Sequence, residues 1–103
     1  MIDSVRLSHT AALILQTIDG GCSYGFDIMD ATGLPSGTVY PALRRMETEG
    51  LITSQWEAEK KAVAEQRPAR KYYRLTRAGS QTLGQSQKRY PLLAKLTPAK
   101  TKG

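Results

Sequence analysis

The order in which helical and strand-like segments follow one another constrains this chain more than any other feature. Three short segments with apolar residues at helical spacing come first, and glycine follows each of them. Glycine readily adopts the left-handed conformation that ends many helices. Two strand-like runs come next, at 51–57 and 70–76, and Thr76 is placed to cap a last helix. This order predicts a mainly helical domain with one small antiparallel hairpin.

Serine residues stand where the first two helices are expected to begin. A serine hydroxyl at this position accepts a hydrogen bond from an unpaired backbone N–H. We therefore predict that Ser8 caps a first helix ending at Gly20, and that Ser23 caps a second helix ending at Gly33. The apolar residues at helical spacing are Ala11, Ala12, Leu15 and Ile18 in the first helix, and Tyr24, Ile28 and Ala31 in the second.

The third predicted helix has Ser36 as its cap and runs to Glu49, where Gly50 closes it. At about 100° per residue, the stripe that faces the core consists of Val39, Leu43 and Met46. The opposite face consists of Gly37, Pro41, Arg44 and Thr48, flanked by Thr38, Tyr40 and Arg45. Pro41 is tolerated because few N–H groups near a helix start have an intrahelical partner to lose.

A polar segment that contains lysine, residues 58–69, connects the two strands, and we expect an irregular loop with a mobile tip. Three helices followed by a hairpin with a basic tip predict a winged helix-turn-helix, in which the third helix enters the major groove of DNA. We assign residues 1–79 to this domain. Residues 80–103 are expected to form a C-terminal helix and a basic tail that is flexible or serves dimerisation.

Charge is divided unequally along the chain. Residues 1–57 carry a formal charge of −4, whereas residues 58–103 carry +10. Seven of the twelve cations in the second half lie between Lys60 and Arg77, within and beside the predicted hairpin. Such asymmetry is typical of a protein that meets a polyanion with one face.

Several short motifs occur together over about residues 8 to 83. They are Tyr24 to Ile28, Ser36 to Glu47, Glu49 to Ile52, Trp56 with Glu57, Arg67 to Thr76, and Ala78 with Gly79. In this combination the sequence resembles the PadR-like family of transcriptional regulators. The resemblance implies a homodimeric repressor of double-stranded DNA, often released from it by a small-molecule effector. It also implies that the wing supplies basic contacts, and that residues near DNA match Tyr24, Ser36, Thr38 and Tyr40.

Dimer symmetry has a consequence for the DNA target. Two copies of the third helix would read a near-palindromic operator with half-sites roughly 34 to 36 Å apart, or a multiple of that distance. An effector would act at the dimer junction by changing the separation of these helices. Apolar residues available for an interface with the first helix are Leu83, Tyr90, Leu92, Leu93 and Leu96.

The predicted DNA-binding residues fall into two sets. On the third helix, Gly37 allows close approach to base edges, Thr38 and Tyr40 bond phosphates, and Arg44 with Arg45 contacts phosphates further along. On the wing, the predicted phosphate contacts are Lys60, Lys61, Arg67, Arg70 and Lys71. The alternatives are that Tyr40 packs on the wing, that the two helix arginines are solvated or pair with Glu47 and Glu49, and that the basic loop only aids solubility.

Other residues are assigned ordinary structural roles. His9 is the only histidine, and we interpret it as a helix-start residue rather than part of a catalytic triad. Cys22 is expected in an exposed turn as an inert thiol, with a redox sensor as the alternative. Trp56 is expected to pack in the core or on the strand, with ligand stacking as the alternative. The sequence contains no cluster of metal ligands and no phosphate-binding glycine loop, so we predict no metal and no cofactor.

Composition excludes several classes of protein. The longest uninterrupted apolar run, Ala11 to Leu15, is far shorter than the about 20 residues of a membrane span or the roughly 7 of a signal peptide. A single cysteine cannot form an internal disulfide, so we expect a cytoplasmic protein with no membrane partner. The predicted function is sequence-specific DNA binding without enzymatic activity. The alternative is a winged helix used for protein–protein contact.

Overall fold

The computed structural model describes residues 7–92, which form five helices and two strands. The elements are α1 (His9–Asp19), α2 (Gly25–Thr32), α3 (Ser36–Thr48), β1 (Ile52–Trp56), α4 (Glu59–Ala64), β2 (Lys71–Leu75) and α5 (Arg77–Arg89). The predicted order of three helices, a hairpin and a last helix is confirmed. No helix in this part of the chain is long and apolar enough to cross a membrane.

Two of the four predicted helix caps are present. The hydroxyl of Ser8 accepts a hydrogen bond from the Ala11 N–H at 3.1 Å, and that of Thr76 accepts one from the Gly79 N–H at 3.0 Å. Gly33 ends α2 with φ +75°, the left-handed conformation expected of it.

The caps predicted at Ser23 and Ser36 are wrong. Tyr24 precedes α2, and Pro35 precedes α3, and neither makes a side-chain cap hydrogen bond. The Ser23 carbonyl instead accepts from the Tyr73 N–H at 2.7 Å, so this residue belongs to the contact between α2 and the hairpin. The Pro35 carbonyl accepts from the N–H groups of α3's first turn, which makes Ser36 the first helical residue.

The core lies around α1, which packs against α2, β2 and α5. The predicted stripe of α3 is fully buried, because Val39, Leu43 and Met46 are each at most 1% exposed. Burial of an aliphatic side chain of this size contributes about 1.5 to 3 kcal/mol to folding. The stripe thus holds α3 to the core and turns its opposite face to solvent.

Cys22 lies in the core, which corrects the prediction of an exposed turn. Its side chain is 1% exposed, and its backbone N–H donates to the Thr17 carbonyl at 3.1 Å. The turn after α1 folds back over the end of that helix, so the thiol faces inward. This burial agrees with the interpretation of an inert cysteine.

The hairpin is antiparallel, as predicted, with Ile52 opposite Leu75 and Trp56 opposite Lys71. The other edge of β2 meets the start of α2, where Tyr24 forms an isolated bridge with Tyr72. The hairpin is therefore fixed to the helix-turn-helix unit along β2, while β1 forms its outer edge.

The connection between the strands contains α4 (Glu59–Ala64), which corrects the prediction of an irregular loop. Lysine, glutamate and alanine favour helices, but a helix of one to two turns is unstable in isolation. Tertiary contact stabilises it here, because Ala62 is only 2% exposed and its carbonyl accepts from the Arg67 N–H at 3.1 Å.

The last helix, α5, packs on α1 of the same chain. Gln87 donates a hydrogen bond to Gln16 at 2.9 Å, and the Tyr90 ring lies 4.0 Å from the His9 ring. Leu83 is buried in the core, whereas Leu92 is 67% exposed. Of the residues predicted for a dimer interface, Leu93 and Leu96 lie outside the described residues.

Candidate nucleic-acid interface

The face of α3 opposite the core is open to solvent, as its sequence pattern predicted. No atom would contact a side chain added at Gly37, so this end of the helix presents little bulk. Thr38 is half-buried beside Gly37. The exposed residues of the face are Ser36, Gly37, Tyr40, Pro41, Arg44, Arg45 and Thr48. Close approach of a partner to the first two turns of α3 is therefore sterically possible.

Tyr40 lies against the start of α2. A Cβ atom placed on Gly25 would come within 2.6 Å of the Tyr40 ring carbons Cε1 and Cζ, so only glycine leaves room for this ring position. The side chain of Tyr40 remains 41% exposed. Sequence reasoning did not single out Gly25, although a glycine at the first position of a helix is a signal of close packing.

The two arginines of α3 are exposed and carry no salt bridge within residues 7–92. Pairing with Glu47 was one alternative for them. Glu47 instead accepts a hydrogen bond from the Ser54 hydroxyl at 2.6 Å, which joins α3 to β1. The guanidinium groups of Arg44 and Arg45 are thus available to an anionic partner.

A bidentate ion pair joins the two sides of the wing. Arg67 donates from Nη1 and Nη2 to the two carboxylate oxygens of Glu57, at 2.6 and 2.8 Å. Its Nη2 also donates to Glu65 at 3.0 Å. The hydrogen bond from Arg67 lowers the pKa of the Glu57 carboxyl from 4.5 to about 2, against the opposing effect of desolvation, and the pKa of Arg67 is raised. Arg67 therefore faces carboxylates of its own chain.

Arg70 is held at the base of the wing by contacts from both sides. Its backbone N–H donates to the Glu57 carboxylate at 3.2 Å, and its guanidinium carbon lies 4.2 Å from the centroid of the Tyr24 ring. Tyr24 in turn meets Tyr72 edge to face at 5.6 Å. A stacked guanidinium keeps its N–H donors directed outward along the ring plane, where a phosphate or carboxylate is able to accept them.

Lys71 and Trp56 lie opposite each other at the open end of the hairpin. The Lys71 Nζ atom is 5.7 Å from the centroid of the Trp56 ring and 5.9 Å from that of Tyr73. Trp56 is 63% exposed, so the prediction that it packs in the core is wrong. The outward position follows from strand alternation at the end of β1, where nothing packs over that face. Burial and the Glu47 carboxylate raise the pKa of the Tyr73 hydroxyl.

The structure brings half of the predicted residues to one place. A cleft of about 660 Å³ between α3 and the wing is lined by Tyr24, Tyr40, Arg44, Arg67, Arg70 and Lys71, together with Phe26 and Trp56. Thr38 and Arg45 line a separate cleft between α3 and α1. Lys60 and Lys61 are exposed on α4. Within residues 7–92, no group of three potential metal ligands is present.

Three helices, a two-stranded wing and the cationic surfaces on α3 and the wing define this molecule as a winged helix-turn-helix protein. The sequence profile described as "Transcriptional regulator PadR-like family" matches residues 14–85. The chain belongs to the PadR-like family of transcriptional regulators, which confirms the sequence-based assignment and agrees with a non-enzymatic protein.

Solved structures of the same family have the same fold. A PadR family transcription regulator from hypervirulent Clostridium difficile R20291 is 29% identical, with a TM-score of 0.72 over 86% of this chain and 94% of that one. A transcriptional regulator from Clostridium thermocellum is 27% identical, with a TM-score of 0.65 over 85% of each chain. A PadR-like transcription factor from Bacteroides fragilis is 27% identical, with a TM-score of 0.66 over 82% of each chain. Comparison with curated protein sequences gave no significant match.

Proposed function

We propose that the protein is a repressor that binds a specific sequence of double-stranded DNA as a homodimer in the cytoplasm. The observation that carries the proposal is the placement of Arg44, Arg70 and Lys71 around one cleft, beside the open face of α3. A protein-interaction module would need an apolar surface along α3. Here that face consists of small, polar and cationic side chains.

In this proposal α3 reads the DNA sequence. Residues near the start of the helix approach base edges in the major groove, and the absence of a side chain at Gly37 shortens the distance. Ser36 and Thr38 offer hydroxyl groups that donate to or accept from bases and phosphates. Tyr40, held beside Gly25, and Arg44 with Arg45 bind the phosphates that border the groove.

The wing anchors the complex without reading sequence. Lys60, Lys61, Arg70 and Lys71 provide cations that neutralise phosphates and release counterions. Arg67 supports them from within, because its pair with Glu57 holds the two ends of the α4 connection together. Its expected phosphate contact is thereby reassigned to a role in positioning the wing, and Tyr24 supports Arg70 in the same way.

Dimer formation doubles the number of base contacts, since one α3 covers only a few base pairs. The C-terminal segment is the proposed interface, and Leu92 is an exposed apolar residue at its start. A near-palindromic operator follows from the two-fold symmetry. The repressor role and release by a small-molecule effector follow the family resemblance, and an effector acts only if it binds two arrangements of the dimer with different affinity.

Selection of bound duplexes from a random pool, at a stated salt concentration, tests the proposal. We expect enrichment of a near-palindrome with half-site centres roughly 34 to 36 Å apart, or a multiple of that distance. Light scattering is expected to give the mass of two chains, both free and on the operator. A single-chain mass in both states, or a pool that remains random, would contradict the proposal.

A further inference from the structure

The cleft between α3 and the wing has an apolar character that phosphate binding does not require. Five large apolar side chains of residues 7–92 are exposed, and three of them line this cleft. They are Phe26, Tyr40 and Trp56, and the first and last expose 68% and 63% of their surface. Clustered exposed aromatic residues mark a surface that binds a partner.

The cleft is also cationic. Arg44, Arg70 and Lys71 line it, and neither of the two salt bridges found within residues 7–92 involves them. The Arg67 guanidinium on the same wall is already paired with Glu57. Glu47 is the carboxylate that lines the cleft, and it accepts a hydrogen bond from Ser54. The charge within the cleft therefore favours an anion.

Cations and ring faces are close enough to act on one ligand. The Lys71 ammonium lies between the rings of Trp56 and Tyr73, at 5.7 and 5.9 Å from their centroids. Arg70 is fixed over Tyr24 at 4.2 Å. A planar ring stacked on Trp56 would place an attached anionic group within reach of the Lys71 ammonium, so that both halves of such a ligand have a partner.

We infer that this cleft binds a small planar aromatic anion, and that the bound anion excludes DNA from the same face. Its volume of about 660 Å³ lies within the range of about 300 to 1,000 Å³ found for small-molecule sites. The first part of this inference depends only on the cleft. The second part rests on the proposed function, because it requires DNA to occupy Arg44 and the wing.

Direct titration tests the first part. The chain has a single tryptophan, so its indole N–H gives one cross-peak in a ¹H–¹⁵N spectrum. We expect 2-naphthoate to shift the Trp56 cross-peak in a saturable manner, and the neutral 2-naphthamide to bind about tenfold more weakly because it cannot form a charge-assisted hydrogen bond. The cation 2-naphthylmethylammonium is expected not to bind. An unmoved cross-peak, or equal binding of all three compounds, would overturn the inference.

Matched variants locate the site. Lys71→Gln and Arg44→Gln are each expected to weaken 2-naphthoate binding about tenfold. Arg74→Gln is the control, because Arg74 is exposed on the same strand but lines the cleft on the other side of the hairpin. Trp56→Leu, followed by calorimetry, is expected to remove most of the remaining affinity. Equal reductions for Arg74→Gln and Lys71→Gln would show general attraction to the basic wing and contradict a site.

Competition tests the second part. The apparent Kd of the protein for a random duplex should rise linearly with 2-naphthoate concentration, while 2-naphthamide at the same concentration has little effect. Naphthoate binding without any change in DNA affinity would contradict exclusion. A protein that binds naphthoate but no duplex would refute the proposed function and leave the cleft assignment standing, so the two failures are distinguishable.

Discussion

Arg67 and Glu57, ten residues apart in the chain, form a two-pronged ion pair in which Nη1 and Nη2 donate to the two carboxylate oxygens at 2.6 and 2.8 Å. The Glu57 side chain is 4% exposed and that of Arg67 is 17% exposed. A bidentate pair fixes both position and orientation, unlike an exposed pair with a single contact. A cation that would be counted as a phosphate contact from the sequence is thus neutralised within the wing.

The salt dependence of DNA binding should separate anchoring cations from Arg67. Lys60→Gln and Lys61→Gln are each expected to make the slope of log affinity against log salt shallower by about 0.9, because one phosphate is then no longer neutralised. Arg67→Gln is expected to weaken binding while leaving that slope unchanged, because it disturbs the wing and leaves the phosphate-binding cations in place. Affinity for a random duplex at three salt concentrations measures this. A slope reduced by about 0.9 in Arg67→Gln would show that Arg67 binds phosphate.

The Glu57–Arg67 pair also predicts a pH dependence. The pKa of Glu57 is about 2 in the folded protein and about 4.5 when it is unpaired, so the pair stabilises the fold fully above pH 4.5. That contribution disappears as the pH falls from about 4.5 through 2. Thermal unfolding of the wild type and of Glu57→Gln should therefore differ at about pH 6 and converge near pH 2. A difference that is constant over this range would contradict the assignment.

Residues at the start of α3 should affect specificity more than general DNA affinity. Thr38→Ala is expected to cost about 1 to 3 kcal/mol on the selected operator and less on a random duplex, because it removes a hydrogen-bonding group near base edges. Thr48→Ala is the control, since Thr48 is exposed at the last position of the same helix. Equal reductions in affinity on both duplexes would place Thr38 on phosphate rather than on bases.

Two glycines of α5 should respond to alanine in opposite ways. A Cβ atom at Gly79 would collide with the backbone carbonyl of Leu51, which also accepts from the Thr76 N–H at 3.0 Å and cannot move freely. Gly79→Ala is expected to destabilise the fold by about 1 to 3 kcal/mol. At Gly84 nothing lies within 4 Å, so Gly84→Ala should stabilise it by about 0.5 to 1 kcal/mol. Urea unfolding of both variants checks the opposite signs.

Gly25 and Tyr40 should be energetically coupled. Gly25→Ala is expected to displace the Tyr40 ring rather than unfold the protein, because the ring end is partly exposed and able to swing outward. In a Tyr40→Ala background the same change should be neutral or stabilising, since alanine favours the helix. A double-mutant cycle should give a coupling of about 0.5 to 3 kcal/mol. Additive effects would show that the packing of Tyr40 against Gly25 is energetically unimportant.

The sequence was sufficient to predict the elements whose signals are local. Periodic burial predicted the inner stripe of α3, and alternation with β-favouring residues predicted the antiparallel pairing of 51–57 with 70–76. The caps at Ser8 and Thr76 and the left-handed Gly33 depend on backbone groups within four residues. These signals depend on helix and strand geometry alone, which is the same in every fold.

Tertiary contacts decided the rest. The helix α4 exists because Ala62 is buried, and Ser23 serves the hairpin rather than α2 because the Tyr73 N–H reaches its carbonyl. Partners separated by many residues in the chain have no fixed spacing, so no periodicity reveals them. For the same reason the sequence offered Arg67 as a cation for DNA, whereas only the folded hairpin brings it to Glu57, where a nearby carboxylate outcompetes solvent for the guanidinium.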